Sequence, residues 1–403
     1  MASDSISTPP GRRRMALRLL SGIAAIAIAG VALLVSRGLS DSPDATNSST
    51  MNTVRPTHPT RIPLGILGDS DSHSFHDSLA FAAMPEARGG RYRASTFNWP
   101  EMLHKLRSDQ IDLGPWGIWG NSRERYAVIR EAFGLPARLP RKQDYRYNFA
   151  VSGATCDQLM HGRYRQASRL LAVMDQEPER WRNGVVLIRI GVNSFGNAKS
   201  LERLARDPHS PEVGATIRDC TASYQQAVEL IRAHHPQTRF VLVGIFDNAQ
   251  WAKLIDQWQS PTPLHNIFTG LQQFDSALRD LVATDPSHLA FFDDQAWFQK
   301  LWGSRDENGK PAYTDVLIDG RFRVSNTVGD TPSNATLQDG HAGTAWNGLW
   351  AKSLVELLND RFSLGLRPIT EAEILQLIKP AGADTEPASE NLEDSQSSTR
   401  ANR

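Results

Sequence analysis

Cysteine is almost absent from this sequence: only Cys156 and Cys220 occur in 403 residues. Two thiols are too few for the cysteine-rich sites that bind structural zinc, so we expect no metal site of that kind. In an exported protein the two thiols could form one disulfide, but the sequence alone gives no distance between them. Their pairing therefore stays open at this level.

An excess of charge of one sign is also missing. The chain has 44 basic and 44 acidic side chains. Proteins that bind nucleic acid use an excess of lysine and arginine to neutralise phosphates, so we expect no nucleic-acid partner. No period of 20 to 50 residues repeats, which excludes solenoids and propellers. What is left is the composition of an ordinary globular domain, 40% hydrophobic and 22% charged.

Long apolar runs are scarce, and the one that occurs extends from Leu19 to Val35, after the basic triplet at positions 12–14. At about 1.5 Å per residue this run is near the lower limit for crossing a bilayer, and the arginines favour a cytoplasmic N-terminus. We therefore predict a membrane anchor, with the rest of the chain periplasmic or extracellular. A cleaved signal peptide is the alternative, because small residues between Ala24 and Ala32 could hold a cleavage site.

The remaining chain divides by composition. Residues 1–37 form the predicted N-terminal and anchor segment, and the polar, proline-bearing residues 38–60 are predicted to be a flexible linker. Residues 61–365 are predicted to be one domain. The C-terminal extension, 366–403, is predicted to be disordered from about residue 382.

Inside the domain, short apolar runs alternate with longer helical patterns. The predicted strands are 62–67, 145–151, 185–190, 240–245 and 288–292. The predicted helices are 99–107, 156–174, 217–234, 267–283 and 344–362. This alternation predicts a mostly parallel sheet of about five strands with helices on both faces, that is, a three-layer α/β/α doubly wound sandwich.

The most informative motif, Gly68-Asp69-Ser70, directly follows the first predicted strand. A serine at this place is presented above the carboxyl end of a sheet, and a glycine before it permits a sharp exit from the strand. The same tripeptide is also a common turn. We identify Ser70 as the candidate nucleophile. Ser72 is a weaker candidate nucleophile, because the nucleophile belongs at the strand edge. His73 is a weaker candidate base, because a histidine so close to the serine in sequence rarely points its ring at the hydroxyl.

Three later blocks of small or polar residues follow predicted strands or precede the last helix. They contain Gly153, Asn193, and Asp339 with His341. In a parallel sheet these blocks converge at one edge. Acyl transfer by serine needs a base, an acid that orients the base, and donors for the oxyanion. His341 is the candidate base, Asp339 the candidate acid, and the N–H groups of Ser70 and Gly153 with the Asn193 amide are the candidate oxyanion donors.

In this order, the four blocks resemble the SGNH or GDSL-type hydrolases, a superfamily named for its serine, glycine, asparagine and histidine. The resemblance covers about residues 62–362 and implies the three-layer fold and an esterase without metal or organic cofactor. One position departs from the family pattern: the residue three before the histidine is Gln338 rather than an acid. Asp339, a backbone carbonyl or another acid such as Asp330 could then orient His341.

Family members act on esters of lipids, of short acyl alcohols and of acetylated sugars, so the resemblance implies an acyl-ester substrate. Trp116 and Trp119, which stand among glycines in a long connection, are candidate substrate contacts, together with Asp69. We expect a serine esterase that removes a small acyl group, often acetyl, from an envelope or extracellular carbohydrate. The alternatives are a lipase or thioesterase, a polysaccharide O-acetyltransferase, and an inactive glycan-binding relative.

Overall fold

A computed structural model describes residues 61–81 and 88–378. The predicted anchor, linker and disordered tail lie outside these residues. The central sheet has five strands in the order β2-β1-β5-β6-β7, all parallel. Numbered along the chain, the strands are β1 (Ile62–Gly68), β2 (Ile111–Asp112), β3 (Trp116–Trp119), β4 (Lys142–Tyr145), β5 (Val185–Arg189), β6 (Arg239–Val243), β7 (Leu289–Phe292), β8 (Val316–Ile318), β9 (Phe322–Val328) and β10 (Asn334–Thr336).

Helices cover both faces of this sheet. Along the described residues the helices are α1 (Trp99–Arg107), α2 (Glu124–Ala132), α3 (Gln166–Met174), α4 (Pro178–Trp181), α5 (Ala198–Arg206), α6 (Pro211–His234), α7 (Pro261–Thr284), α8 (Asp294–Trp302), α9 (Thr344–Phe362) and α10 (Glu371–Ile378), and of these α2 lies outside the two layers. Short 3₁₀ turns occur at 90–95, 156–159 and 248–250. The predicted bounds of α1 and α9 agree with the structure residue for residue.

Successive residues of each central strand enter two different hydrophobic cores. In β5, Val186 and Ile188 lie in the core that contains α3, α6 and α7. Val185 and Leu187 lie in the core that contains α1, α8 and α9. All four are buried. This two-sided burial explains the continuous apolar run of the strand, and the structure confirms the three-layer α/β/α sandwich.

The predicted strand 145–151 and the predicted helix 156–174 are both interrupted. β4 ends at Tyr145, and the segment after it pairs in parallel with β1: the Phe149 N–H donates to Ile66 O (2.8 Å) and the Val151 N–H to Gly68 O (3.0 Å). The predicted helix begins as a 3₁₀ turn and becomes α3 only at Gln166. Gly162 lies between the two parts with φ +62°, a left-handed conformation that ends a helix.

Residues 113–146 form an insertion between β2 and the segment that pairs with β1. It contains the antiparallel pair β3–β4 and the helix α2. The sequence had predicted a loop at Trp116 and Trp119, whereas the structure has strand β3 there. Within α2 only Ala127 is buried, so this helix lies largely on the surface.

The packed domain continues past residue 365. Leu366 and Ile369 are buried, and α10 places Ile374 and Ile378 in the same core as α9. The predicted C-terminal extension therefore begins inside the packed part of the chain. Among the helices of residues 61–81 and 88–378, none has the length and apolar character needed to span a bilayer.

Candidate active site

Ser70 stands on a tight turn that begins where β1 ends. Both backbone groups of Gly68 are held by the Gln166 side chain, at 2.7 and 2.9 Å. A Cβ at position 68 would lie 2.5 Å from Arg189 O, so only glycine fits beside β5. The Asp69 carbonyl then accepts the N–H groups of Ser72 (3.2 Å) and His73 (3.1 Å), which closes the turn. Ser70 remains partly exposed on it.

A cavity of about 250 Å³ brings three of the four predicted blocks together. Ser70, Asn193, Asp339 and His341 all line it, and we call it the Ser70 cavity. Gly153 is not among its lining residues. Ser70 and His341 share the cavity, but within the described residues no hydrogen bond joins the Ser70 hydroxyl to the imidazole. Such catalytic hydrogen bonds are often long before substrate binds.

Asp339 reaches His341 from two positions away. Its Oδ1 lies 3.1 Å from His341 Nδ1 and also accepts the His341 N–H at 3.1 Å. Gly340 makes this contact geometrically accessible, because its φ of +89° reverses the chain between the two residues. Asp330 does not take this place, since its Oδ1 accepts the Gln338 N–H at 3.0 Å.

Arg88 is a site residue that the sequence did not reveal. Its guanidinium donates to Asp339 Oδ2 at 2.5 Å and also contacts His341 Nδ1. Phe75 and Phe81 flank it, with ring centroids 5.0 and 4.8 Å from Cζ. Burial opposes ionisation of Asp339, but the His341 hydrogen bond and the charges of His341 and Arg88 outweigh burial and lower the pKa of this carboxyl. It is therefore a carboxylate at neutral pH.

The candidate oxyanion donors lie on neighbouring loops. Asn193 is carried by a π-helical turn, Val192–Gly196, directly after β5, and its Nδ2 donates to Ala154 O at 3.0 Å. This bond links the asparagine and glycine blocks. In the described part of the chain, neither the Ser70 N–H nor the Gly153 N–H has a hydrogen-bond acceptor, so both can donate to a substrate oxygen. Gly153 has φ +80°, a backbone conformation that residues with a side chain rarely adopt.

Ser72 is excluded as the nucleophile by its surroundings. The side chain is fully buried, and its hydroxyl accepts the indole N–H of Trp99 at 3.2 Å. Its backbone carbonyl accepts the Asn148 amide at 2.8 Å. Ser72 therefore fastens the turn to the domain and does not face the Ser70 cavity.

His73 is likewise not the base for Ser70. Its Nε2 lies 2.8 Å from Asp77 Oδ2, and its Nδ1 accepts the Ser152 N–H at 3.2 Å and lies 3.1 Å from the Ser152 hydroxyl. Burial and the nearby Lys142 charge lower the pKa of His73 to about 4. The neutral ring therefore ties the serine turn to Ser152, the residue before Gly153.

The three predicted substrate contacts do not line the Ser70 cavity. Asp69 is 1% exposed, and burial together with the Asp71 charge raises its pKa to about 8. Trp116 and Trp119 lie on β3 in the insertion. Instead, the cavity is lined by side chains that the motifs did not indicate, among them Arg189. Arg189 ends β5 and donates to Asp294 Oδ2 at 2.8 Å. Within the described residues, no cluster of three or more His, Cys, Asp or Glu could hold a metal ion.

The two cysteines are joined in a disulfide. Cys156 follows Gly153 by three residues, and Cys220 lies in α6. The bond therefore ties the chain just after the glycine block to a long helix of the domain, which answers the question that the sequence left open.

Residues 119–313 match the family model described as the GDSL-like Lipase/Acylhydrolase family. This range contains Gly153 and Asn193, whereas Ser70 and His341 lie outside it. A search of curated proteins finds no match.

Solved structures include similar chains. A lipase from a goat rumen metagenome is 14% identical, with 59% of this chain and 83% of that chain covered and a TM-score of 0.31. An extracellular lipase from Streptomyces rimosus is 16% identical (62% and 86% covered, TM-score 0.30). A family two carbohydrate esterase from Clostridium thermocellum is 12% identical (75% and 64% covered, TM-score 0.30). At these scores the similarities carry no inference about activity. The family match, the ordered blocks and the α/β/α sandwich together support a hydrolase of the GDSL-like lipase/acylhydrolase, or SGNH, type.

Proposed function

We propose that this protein is a serine esterase that hydrolyses a small acyl ester, often acetyl, on an envelope or extracellular carbohydrate. The observation that carries the proposal is that Ser70, Asn193 and the Asp339–His341 pair line one cavity. This is the set of groups that acyl transfer by serine requires.

The reaction follows from these positions. Ser70 Oγ attacks the ester carbonyl carbon while His341 Nε2 takes the hydroxyl proton, and the Asp339 carboxylate stabilises the imidazolium through Nδ1–H. The oxyanion accepts hydrogen bonds from the Ser70 N–H, the Gly153 N–H and the Asn193 amide. The C–O bond breaks, and the leaving alcohol takes the proton from His341. Water then attacks the acyl-enzyme, again with His341 as base, and releases the carboxylic acid and free Ser70.

The cavity favours a small acyl group on a polar alcohol. Its volume of about 250 Å³ is below the range of about 300–1,000 Å³ typical of pockets for drug-sized ligands. Arg189, Asn248 and Lys253 lie in its wall beside the aromatic rings of Phe246, Trp251 and Trp346, and a wall of polar groups and aromatic rings suits a sugar leaving group. The Cys156–Cys220 bond supports an oxidising location, as does the apolar run 19–35 that predicts a membrane anchor outside the described residues.

The test is hydrolysis of p-nitrophenyl acetate, butyrate and octanoate by the full chain. We expect acetate to be preferred and Ser70→Ala to lose at least about 10³-fold in kcat. Ser72→Ala, two residues away and outside the cavity, is the matched control and should keep most of the activity. Equal rates for Ser70→Ala and wild type would refute the proposal. A preference for octanoate would favour a lipase, and faster transfer of acetyl to an added glycan than to water would favour an O-acetyltransferase.

A further inference from the structure

A second cavity, of about 340 Å³, lies between the insertion and the body of the domain. Three arginines line it, Arg130 from α2 and Arg138 and Arg146 from either side of β4, together with the rings of Trp119 and Phe149. No acidic side chain is among its lining residues. We call it the arginine cavity. Its volume is within the range of small-molecule pockets.

Within the described residues, Arg130 and Arg146 have no carboxylate partner at this cavity, whereas Asp144 and Asp77 partly compensate the charge of Arg138 without forming an ion pair with it. In the described part of the chain none of them forms an ion pair, and their bonds go to neutral oxygens: Arg130 Nε to Pro136 O (2.9 Å), Arg138 to Tyr145 O (3.2 Å), and Arg146 to Gln176 Oε1 (2.7 Å). The arginines are thereby held in place without being neutralised. Three fixed cations around one cavity attract an anion.

Two carboxylates of this region, Glu131 and Asp144, are paired with other cations. Glu131, next to Arg130, binds Arg165 at 2.7 Å and Arg169 at 2.8 Å. The buried Asp144 pairs with Lys142 at 2.6 Å.

Arg138 is the buried member of the set. It is only 5% exposed, and its Nε is buried without a hydrogen-bond partner in the described residues. Burial lowers its pKa to about 10, with Asp144 and Asp77 acting in the opposite direction, so the guanidinium is charged at neutral pH. The other two guanidinium nitrogens are held by the carbonyls of Tyr145, Arg146 and Asn148, so Arg138 contributes positive charge to the cavity rather than an accessible donor.

The aromatic side of the cavity favours a ligand that has a flat apolar face as well as a negative charge. Trp119 is partly exposed, and the guanidinium of Arg146 lies 5.8 Å from its ring centroid. An indole face beside guanidinium groups suits a ligand with a flat apolar side and a charged edge, and the planar guanidinium fork matches a carboxylate. We propose that the arginine cavity binds a carboxylate-bearing sugar ring, such as a uronic acid unit.

The cavity is linked to the glycine block by a short piece of chain. Phe149 lines it, and Ser152 follows three residues later, about 10 Å along an extended segment. Ser152 and Gly153 line neither cavity, so this link is one of chain connectivity, and we infer from it that one polymer extends from the arginine cavity to Ser70. The inference that one polymer occupies both cavities rests on the proposed function. It implies that the substrate is an acylated acidic polysaccharide.

The test is calorimetric titration of the full chain at low salt with glucuronate, with glucose as its neutral match, and with inorganic phosphate. We expect glucuronate to bind and glucose not to bind. Arg130→Gln and Arg146→Gln should each weaken binding about 10-fold or more, and Trp119→Ala should weaken glucuronate more than phosphate. Arg125→Gln, on the exposed side of α2 and outside the cavity, is the matched control and should bind as wild type does.

Equal binding of glucose and glucuronate, or equal losses in Arg125→Gln and Arg146→Gln, would overturn the site. Tighter binding of phosphate with no effect of Trp119→Ala would overturn the sugar assignment. The Ser70→Ala variant separates the two proposals. If this variant still binds glucuronate, the arginine cavity is supported, whether or not the variant has lost ester hydrolysis. If the cavity serves catalysis, Arg146→Gln should raise KM for an acetylated uronic acid polymer more than Arg125→Gln does, and an unchanged KM would overturn that link.

Discussion

His341 Nδ1 lies 3.1 Å from Asp339 Oδ1, although a single residue separates them in the chain. Gly340 supplies the positive φ that folds the chain back on itself, and Trp251 fixes this turn by donating its indole N–H to Gly340 O at 2.8 Å. Asp339 stands two residues before the histidine instead of three, and it still reaches Nδ1, the imidazole nitrogen that a catalytic carboxylate must contact.

Asp339→Asn is expected to lower kcat for p-nitrophenyl acetate by about 10²–10⁴-fold, because a neutral amide cannot stabilise the imidazolium. Steady-state kinetics check this. Asp330→Asn is the control, since Asp330 bonds to the backbone of Gln338 instead of His341. An equal loss in Asp330→Asn, or normal kcat in Asp339→Asn, would contradict the assignment of the acid.

Asn193→Ala is expected to lower kcat by about 10²–10³-fold with a smaller change in KM, because the amide is proposed to bind the oxyanion more tightly than the ground-state carbonyl. The Asn193 side chain also bonds to Ala154 O, so thermal unfolding must be measured in parallel. A loss that appears only in KM would show that Asn193 binds substrate without stabilising the transition state.

The parts of the fold that depend on the hydrophobic pattern or the capping residues of a short segment were predictable from the sequence. The buried strands β1, β5 and β6 are continuous apolar runs, and α1 has an Asn98 cap with Glu101 three residues later. The sequence predicted a strand at 145–151, but its interruption after Tyr145 was not recoverable, because the pairing of Phe149 and Val151 with β1 joins residues more than 75 positions apart.

The same distinction holds at the candidate site. Ser70, Asn193 and His341 are on motifs, and the structure places them around one cavity. Arg88 is on no motif, and it contacts Asp339 across a separation of 251 residues. The burial of Asp69 and the absence of Trp116 and Trp119 from the Ser70 cavity are tertiary properties, which a short sequence pattern does not encode.

The buried His73 should make stability depend on pH. Its pKa is lowered from 6.5 to about 4 in the folded chain, so the unfolded chain binds the proton first, and stability is lost as the pH falls from about 6.5 to 4. The difference amounts to about 3 kcal/mol. Urea unfolding at pH 7 and pH 4 should therefore show a smaller acid loss in His73→Gln than in wild type. Identical losses would show that His73 binds its proton as readily in the folded chain as in the unfolded chain.

The Cys156–Cys220 disulfide should contribute to stability far more than to catalysis. The two cysteines are 64 residues apart, and closing a loop of this length in the unfolded chain corresponds to about 4 kcal/mol in the chain-entropy description. The double variant Cys156→Ala/Cys220→Ala should lose a free energy of unfolding of that order in urea titrations. We expect its kcat on p-nitrophenyl acetate at 20 °C to fall less than 10-fold, because Asn193 still holds Ala154. Wild type treated with dithiothreitol should match the double variant, and a kcat loss comparable to that of Asp339→Asn would show that the disulfide, rather than the Asn193 bond, positions the glycine block.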